Sequence, residues 1–192
     1  MIEKNPPTAS AAVALQSSIT DLQSSILACR AVARRANSSF PLAFRLLPTP
    51  KRDAMFALYA FLRVTDYLAD EPGDPAAKRA ELRDWRARLR DALAGRPTHP
   101  VHPALAEAVR RFDIPLDYLE AVIDGVETDL EPVRFGTFEK DLYPYCWRVA
   151  SAVGVACVAV WGFRDPADRV TGVELAVSAG IAFQLTNILR DL

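Results

Sequence analysis

The sequence has little cysteine or histidine and no excess of charge of one sign. Its three cysteines, Cys29, Cys146 and Cys157, show no CxxC spacing, and neither of its two histidines has a cysteine nearby. This pattern argues against a structural zinc site and favours a reduced, cytoplasmic setting. The formal net charge of −1 offers no basic excess for nucleic acid, so we expect no nucleic-acid partner.

Long apolar segments are also scarce. The apolar, uncharged run at residues 149–163 is shorter than the roughly 20 residues of a bilayer-spanning helix, so it predicts a buried helix. The N-terminal residues include Glu3 and no compact apolar stretch, so we expect no signal peptide. Residues 1–16, rich in Ala, Ser and Pro, are predicted to be a disordered tail, followed by one domain over 17–192.

Strand patterns are missing as well, whereas helix boundary signals recur along the chain. Four residues are predicted to cap helices, three of them directly before a proline: Thr49, Asp74, Thr137 and Asp165. Glycines at predicted helix ends are Gly73, Gly95 and Gly162. The predicted helices cover about residues 18–36, 50–71, 75–94, 103–112, 115–130, 138–161 and 166–192, with a short turn at 40–47. The fold class is therefore predicted to be all-α.

Two predicted helices differ sharply in their surroundings. The stretch Ala54–Val64 is apolar almost all round, which indicates a helix in the centre of a bundle. Residues 77–94 are rich in charge around a few apolar positions, which indicates an outer helix. The last predicted helix stays apolar to the final residue without a capping residue, and we expect from this that the chain is truncated.

Polar residues form stripes with one spacing on two otherwise apolar helices. The intervals i, i+3 and i+7 are shared by two trios: Arg63, Asp66 and Asp70, and Gln184, Asn187 and Asp191. Each trio falls within about 60° on its helix, and Tyr59 extends the first by one turn. Because buried polar groups need partners, we predict that both stripes turn inward toward one shared cavity.

Carboxylates in this arrangement suit a diphosphate bound through Mg²⁺, which is usually held by one or two carboxylates together with substrate phosphates. Arg63 could add a bidentate phosphate contact. Other interpretations remain open at this point. Asp66 and Asp70 could be solvated surface acids, with Arg63 and Asp66 forming an ordinary ion pair, and Gln184 and Asn187 could serve helix packing.

Five segments, in consistent order over about residues 30–192, resemble the squalene/phytoene synthase family. They are Ser39–Pro48, similar to a substrate-contacting turn; Tyr59–Glu71, similar to the first aspartate-rich motif; Gly125–Glu131, similar to a G-x-x-x-D-L segment; Tyr145–Val160, similar to a Y-C-x-x-V-A-x-x-V-G helix; and Gly180–Leu192, similar to the start of the second aspartate-rich motif.

The resemblance implies an isoprenoid synthase-type helical bundle with a central cavity. It implies that two prenyl diphosphates, farnesyl or geranylgeranyl, are joined head-to-head through a cyclopropylcarbinyl diphosphate to squalene- or phytoene-type products. Mg²⁺ would be held by Asp66, Asp70 and Asp191, with Tyr145 near the reacting carbons. The implied substrate-binding residues are Ser39, Phe40, Phe44, Tyr59, Arg63, Asp129, Gln184 and Asn187. Without the resemblance, Phe40, Phe44 and Tyr145 would be read as core packing.

Two departures qualify the resemblance. The aspartate pair that opens the family's first motif reads Asp66-Tyr67 here, and family members continue beyond Leu192 with another acidic residue and further helices. We therefore expect little or no activity from this chain alone. The alternatives are a non-catalytic helical scaffold or assembly protein and, less in keeping with the Tyr145 segment, a terpene cyclase of the same fold. Substrate length, NADPH use, oligomeric state and peripheral membrane contact stay open.

Overall fold

A computed structural model describes residues 9–36, 38–132 and 134–191, with side chains described from residue 21 onward. Eight helices make up the described part: α1 Ala9–Arg35, α2 Phe40–Phe44, α3 Thr49–Asp70, α4 Pro75–Leu93, α5 His102–Phe112, α6 Leu116–Thr128, α7 Phe138–Trp161 and α8 Arg169–Arg190. None of these described residues forms a strand. The prediction of an all-α fold is confirmed.

Helix α1 begins earlier than the sequence predicted. Its first residue is Ala9, which lies within the range 1–16 predicted to be a disordered tail, and residues 1–8 lie outside the described part. The early start corrects the prediction for residues 9–16. Four of the first six residues of α1 are alanine, the strongest helix former, and this propensity outweighs the serine that suggested a loop.

Helix α3 lies in the centre of the bundle and packs against α1, α2, α4, α5, α6 and α7. Nearly every residue of its middle is buried: Ala54, Met55, Phe56, Ala57, Leu58, Ala60 and Phe61. This burial confirms the central position that the apolar run predicted. Tyr59 is only partly buried, because the face that carries it borders a cavity.

Helix α4 covers one outer side of α3. Its buried residues Leu82, Trp85 and Leu89 recur at helical spacing, while its remaining surface is charged. Arg90 forms an ion pair with Glu120 of α6 at 2.5 Å, so charged side chains as well as apolar ones connect α4 to its neighbour. The predicted outer position is confirmed.

Three of the four predicted N-caps form. The side chains of Asp74, Thr137 and Asp165 accept hydrogen bonds from backbone N–H groups two or three residues later, at 3.1, 3.2 and 2.9 Å. The prediction for Thr49 is wrong, because Thr49 is already the first residue of α3 and its hydroxyl accepts from Arg52 at 3.0 Å. Pro48 takes the cap position instead and offers no polar side chain.

Helices α7 and α8 pack closely because small residues face each other. A β-carbon on Gly180 of α8 would lie 2.5 Å from the α-carbon of Ser151 in α7. The Ser151 hydroxyl donates to the carbonyl of Val177 at 2.8 Å. A separate 3₁₀ turn, Pro166–Asp168, precedes α8, so the single helix predicted over 166–192 is divided near its start.

Two helical segments, Phe138–Trp161 and Pro166–Arg190, are long and apolar enough to cross a membrane by length and composition. The first contains most of the uncharged run that the sequence indicated was too short to span a bilayer. It reaches membrane-spanning length because the helix extends beyond that run on its N-terminal side. Core helices of globular proteins pass the same test. Helix α7 packs against α3 and α6, as such a core helix does.

Candidate active site

A cavity of about 870 Å³ lies among α3, α6 and α7, near the upper end of the range for ligand pockets. Its polar lining is concentrated in seven residues: Ser38, Tyr59, Arg63, Asp66, Asp129, Tyr145 and Gln184. The rest is apolar: Ala36, Phe40, Ala43, Phe44, Leu46, Leu47, Met55, Leu58, Leu62, Val122, Val126, Val149, Val153, Cys157 and Trp161. The cavity therefore suits an amphipathic ligand with a large apolar part.

Helix α7 lines the cavity with residues at every fourth position: Tyr145, Val149, Val153, Cys157 and Trp161. In a regular α-helix this spacing rotates by about 40° per step, so the stripe would turn away from the cavity. The segment Trp147–Ser151 is π-helical, and its wider turn rotates less per residue. The π-helical segment therefore helps to keep the stripe on one face.

Sequence reasoning identified only Tyr145 in this stripe. The other four residues are apolar or weakly polar and merge with a helix that is apolar on every side, so they did not stand out as a functional set. The signal that could have found them is the repeated spacing of four, starting from Tyr145. Burial raises the pKa of Cys157 to about 11, so its thiol is a neutral part of the apolar wall.

Helix α2 and the middle of α3 form an aromatic wall. Phe44 is buried, and its ring packs edge-on against Phe56 at 5.4 Å and Tyr59 at 6.0 Å between ring centres. Phe40 also lines the cavity but remains 64% exposed. Ser39 precedes α2, is exposed and does not contribute to the lining. Both phenylalanines therefore line the cavity, but Phe44 is buried and Phe40 is exposed.

Arg63 and Asp66 meet at the polar end of the cavity. The Arg63 guanidinium donates to the Asp66 carboxylate at 3.1 Å and lies 4.7 Å from the centre of the Tyr67 ring. Desolvation raises the pKa of Asp66, Arg63 opposes the rise, and the carboxylates of Asp70 and Asp129 add to it. Three carboxylates therefore interact across this end of the site, with Arg63 beside one of them.

Tyr145 of α7 connects α6 to α8. Its hydroxyl is close enough to the Asp129 carboxylate and the Gln184 side chain for both groups to affect its pKa. Burial raises the pKa of Tyr145 above its ordinary value, and the negative charge of Asp129 raises it further. Partial desolvation likewise raises the pKa of Asp129, whereas the contact with Tyr145 lowers it. The phenol stays protonated at neutral pH and can donate a hydrogen bond.

The two polar stripes reach the cavity through only part of their length. Arg63 and Asp66 of the first and Gln184 of the second line it, whereas Asp70, Asn187 and Asp191 are exposed and do not.

Two of these exposed residues, Asn187 and Asp191, form hydrogen bonds with nearby residues of the chain. The Asn187 amide donates to the Gln184 side-chain oxygen at 3.5 Å. Arg190 donates to Asp191 at 2.8 Å, which lowers the pKa of that carboxyl. Asp191 is therefore directed to its neighbour in the chain rather than to the cavity.

The carboxylates at the polar end of the cavity are candidate ligands for a metal ion. Within the described ranges, no three His, Cys, Asp or Glu side chains lie close enough to hold a metal ion together. Asp66 and Asp70, one helical turn apart on α3, still form a carboxylate pair. Desolvation raises the pKa of Asp66, and the nearby carboxylates of Asp70 and Asp129 add to the rise. This donor set fits Mg²⁺ held by one or two carboxylates, water and substrate phosphate.

Comparison with known sequences agrees with this geometry. A family model described as squalene/phytoene synthase matches residues 33–192. The chain is 42% identical to a presqualene diphosphate synthase from Rhodopseudomonas palustris over 158 residues, which cover 81% of this chain and 54% of the relative. It is 37% identical to a 15-cis-phytoene synthase from Synechococcus elongatus over 172 residues, covering 85% and 56%.

Solved structures show the same similarity. A dehydrosqualene synthase crystallised with a ligand superposes with a TM-score of 0.76 at 32% identity, covering 90% of this chain and 58% of that one. A squalene synthase from Alicyclobacillus acidocaldarius superposes with a TM-score of 0.74 at 28% identity, covering 88% and 61%. The chain thus spans about half the length of the relatives it matches. On the match over residues 33–192, it belongs to the squalene/phytoene synthase family.

Proposed function

We propose that this chain carries part of the active site of a prenyltransferase that joins two prenyl diphosphates head-to-head. The substrates are farnesyl or geranylgeranyl diphosphate, and the reaction proceeds through a cyclopropylcarbinyl diphosphate to squalene- or phytoene-type products. The observation that carries the proposal is one cavity of about 870 Å³ with carboxylates and an arginine at one end and an apolar lining elsewhere. A prenyl diphosphate has the same division between a charged head and an apolar tail.

The polar end would receive the diphosphate. Asp66 and Asp70 would hold Mg²⁺, with Asp191 contributing to a second cluster, and Arg63 would contact phosphate oxygens directly. The chemistry that Mg²⁺ supplies when bound is stabilisation of the diphosphate as a leaving group. The Arg63–Asp66 contact at 3.1 Å supports this role, because it holds the guanidinium at the cavity wall before a ligand arrives.

Tyr145 would act near the reacting carbons. Its protonated hydroxyl is near Asp129 and Gln184, so it can donate a hydrogen bond, and its side chain lines the cavity. A neutral aromatic ring can steady a carbocation through its negative face, and the hydroxyl can assist in proton transfer. Ser39, Tyr59 and Asn187 would complete the polar contacts, with Phe40 and Phe44 beside the tails.

We expect the 192-residue chain alone to turn over little or no substrate. Three residues of the two polar stripes, Asp70, Asn187 and Asp191, are exposed and do not line the cavity. Binding can still be tested separately from turnover. The decisive experiment measures binding of an unreactive thiodiphosphate analogue of farnesyl diphosphate with and without Mg²⁺, in parallel with turnover of radiolabelled farnesyl and geranylgeranyl diphosphates.

The variant Asp66→Asn should weaken magnesium-dependent binding of the analogue about tenfold or more, because a hydrogen bond to a charged group is lost. Asp84→Asn is the matched control, because Asp84 pairs with Arg88 on the outer helix α4 at 2.6 Å. Equal binding by both variants would exclude the proposed diphosphate site. Absence of analogue binding even when the chain is fused to the remaining helices of a relative would favour the alternative, a non-catalytic helical scaffold.

A further inference from the structure

Two neighbouring helices carry acidic side chains at their C-terminal ends. Asp66 and Asp70 lie in the last two turns of α3, and Asp129 directly follows α6. Asp66 and Asp129 both line the cavity. The C-terminal end of a helix itself carries a partial negative charge, so each acid adds to the field of its own helix. Like charges therefore oppose the close approach of the two ends, and a nearby cation would offset this repulsion.

Lys78, near the start of α4, is joined to the end of α3. Its ammonium donates to the Ala69 carbonyl at 2.6 Å, directly before Asp70 in the chain. Its side chain also passes the turn between α3 and α4, because a β-carbon on Gly73 would lie 3.7 Å from the Lys78 Cε. The last carbonyls of a helix have no partner within the helix. The ammonium therefore supplies a donor to one of them and offsets the negative end of α3.

Arg79, the next residue, is joined to the end of α6. Its guanidinium forms an ion pair with Glu131 at 2.9 Å and lies 3.9 Å from a carboxylate oxygen of Glu127. These two glutamates stand two residues to either side of Asp129. Arg79 is therefore connected to the chain on both sides of an acid that lines the cavity.

Both cations lie outside the cavity. Neither Lys78 nor Arg79 contributes to its lining, and both are half-buried on a helix that packs against α3 and α6. A ligand in the cavity would meet the acids, whereas the two cations contact the helix ends that carry those acids. Their effect is therefore on the placement of the acids.

We propose that Lys78 and Arg79 are positioning residues that hold the acid-bearing ends of α3 and α6 side by side at the polar end of the cavity. The inference rests on the proposed diphosphate site, because it assigns to these residues the placement of that site's acids. Neither residue touches the substrate. Without one of them the two ends separate more easily, and a higher Mg²⁺ concentration is needed to bring the acids together around a diphosphate.

Arg90 provides the matched control. It forms the same kind of contact between the same two helices, an ion pair with Glu120 of α6 at 2.5 Å. It stands eleven residues after Arg79, roughly 16 Å further along α4 and away from the acids. If these ion pairs served only to hold α4 against α6, Arg79→Gln and Arg90→Gln would have equal effects on the diphosphate site.

The first measurement is the Mg²⁺ concentration at which the whole chain binds the thiodiphosphate analogue half-maximally. Lys78→Met should raise it about tenfold, because a hydrogen bond from a charged group is lost. Arg79→Gln should raise it about three- to fivefold, as for a half-exposed ion pair, and excess Mg²⁺ should restore binding in both variants. Arg90→Gln should change it less than about twofold. Equal effects of Arg79→Gln and Arg90→Gln would overturn the proposal.

A conservative variant separates positioning from a general loss of stability. Lys78→Arg keeps a cationic donor for the end of α3 and should stay within about twofold of the unchanged chain. The midpoint of urea denaturation should change little in any of these variants. If Lys78→Met folds poorly, the comparison of Arg79→Gln with Arg90→Gln still decides the proposal.

Amide hydrogen exchange of the free chain tests the placement of α3 without ligand or Mg²⁺. The Glu71 amide donates to the Tyr67 carbonyl at 3.2 Å in the last turn. Lys78→Met should speed its exchange about tenfold, because that turn opens more often. Unchanged exchange would overturn the positioning role of Lys78. If the unchanged chain does not bind the analogue at all, the proposed diphosphate site is refuted, whereas hydrogen exchange still decides whether Lys78 holds the end of α3.

Discussion

The guanidinium of Arg63 lies 4.7 Å from the centre of the Tyr67 ring and donates to Asp66 at 3.1 Å. Tyr67 stands at the second position of the first aspartate-rich motif, where an aspartate is usual in the family. An aspartate would attract Arg63 by charge, whereas the ring holds the guanidinium through its negative face. The substitution therefore keeps Arg63 in place while removing one negative charge from the polar end of the cavity.

We predict that Tyr67→Ala weakens magnesium-dependent binding of inorganic pyrophosphate by about two- to fivefold, the effect of losing one exposed cation–π contact. Tyr67→Phe should bind like the unchanged chain, because it keeps the ring face. Isothermal titration calorimetry at fixed Mg²⁺ measures both variants. Equal losses in the two variants would show that the hydroxyl, and not the ring, positions Arg63.

The central helix was the part of the fold most readily predicted from sequence. The apolar run Ala54–Val64 can be buried on all sides only in the middle of a bundle, and α3 lies there. Periodicity also indicated that Arg63 and Asp66 share a face. It could not indicate how α8 is tilted, so it did not separate Gln184, which lines the cavity, from Asn187 and Asp191, which do not.

The hydroxyl of Thr65 has a structural role next to the polar site. Thr65 is fully buried, donates to the Phe61 carbonyl at 2.9 Å and accepts from the Trp85 indole at 2.9 Å. Thr65→Val leaves the indole N–H without its acceptor in the core, and it should reduce the free energy of unfolding by about 1–3 kcal/mol. Urea denaturation followed by tryptophan fluorescence measures the loss.

A threonine on α6 is the control for this variant. Thr128 is half-buried, and its hydroxyl donates to the Asp124 carbonyl of its own helix at 2.9 Å. Thr128→Val should cost less than about 0.5 kcal/mol, because water can reach the freed carbonyl and partial exposure limits the effect. A Thr65→Val variant no less stable than Thr128→Val would show that the indole finds another acceptor.

His102 makes the stability of the fold depend on pH. It is fully buried beside Trp85, its Nδ1 accepts from the Thr98 N–H at 3.4 Å, and its Nε2 has no partner among the described residues. Burial lowers the pKa of His102 to about 4, and His99 and Arg88 contribute to the shift. Protonation in the folded state would therefore place an uncompensated charge in the core.

Because the folded pKa lies below the unfolded value of about 6.5, the unfolded chain takes up a proton first as pH falls. This contribution to stability is complete above about pH 7 and is lost between about pH 6.5 and 4. We predict that His102 accounts for about 2 kcal/mol of the stability lost between pH 7 and pH 5. His102→Asn keeps a hydrogen-bond acceptor for Thr98 but has no imidazole to protonate. Its stability should therefore fall by about 2 kcal/mol less between pH 7 and pH 5 than that of the unchanged chain, as measured by urea denaturation at both pH values. Identical losses would mean that His102 titrates normally.

Gly180 sets the distance between α7 and α8. A β-carbon at this position would lie 2.5 Å from the Ser151 α-carbon and 2.6 Å from its backbone nitrogen. These are backbone atoms, so relief requires α8 to move as a unit, and α8 carries Gln184 one turn further along. Gly180→Ala should therefore lower the free energy of unfolding by about 1–3 kcal/mol and withdraw Gln184 from Tyr145.

The control for Gly180→Ala is Gly73→Ala. A β-carbon at Gly73 would meet only the flexible end of Lys78, at 3.7 Å, so this variant should be neutral or stabilise the fold by up to about 1 kcal/mol through the unfolded state. Thermal and urea denaturation compare the two variants. If both alanines prove equally harmless, α8 must slide along α7 without cost, and the placement of Gln184 at the cavity would not depend on this close contact.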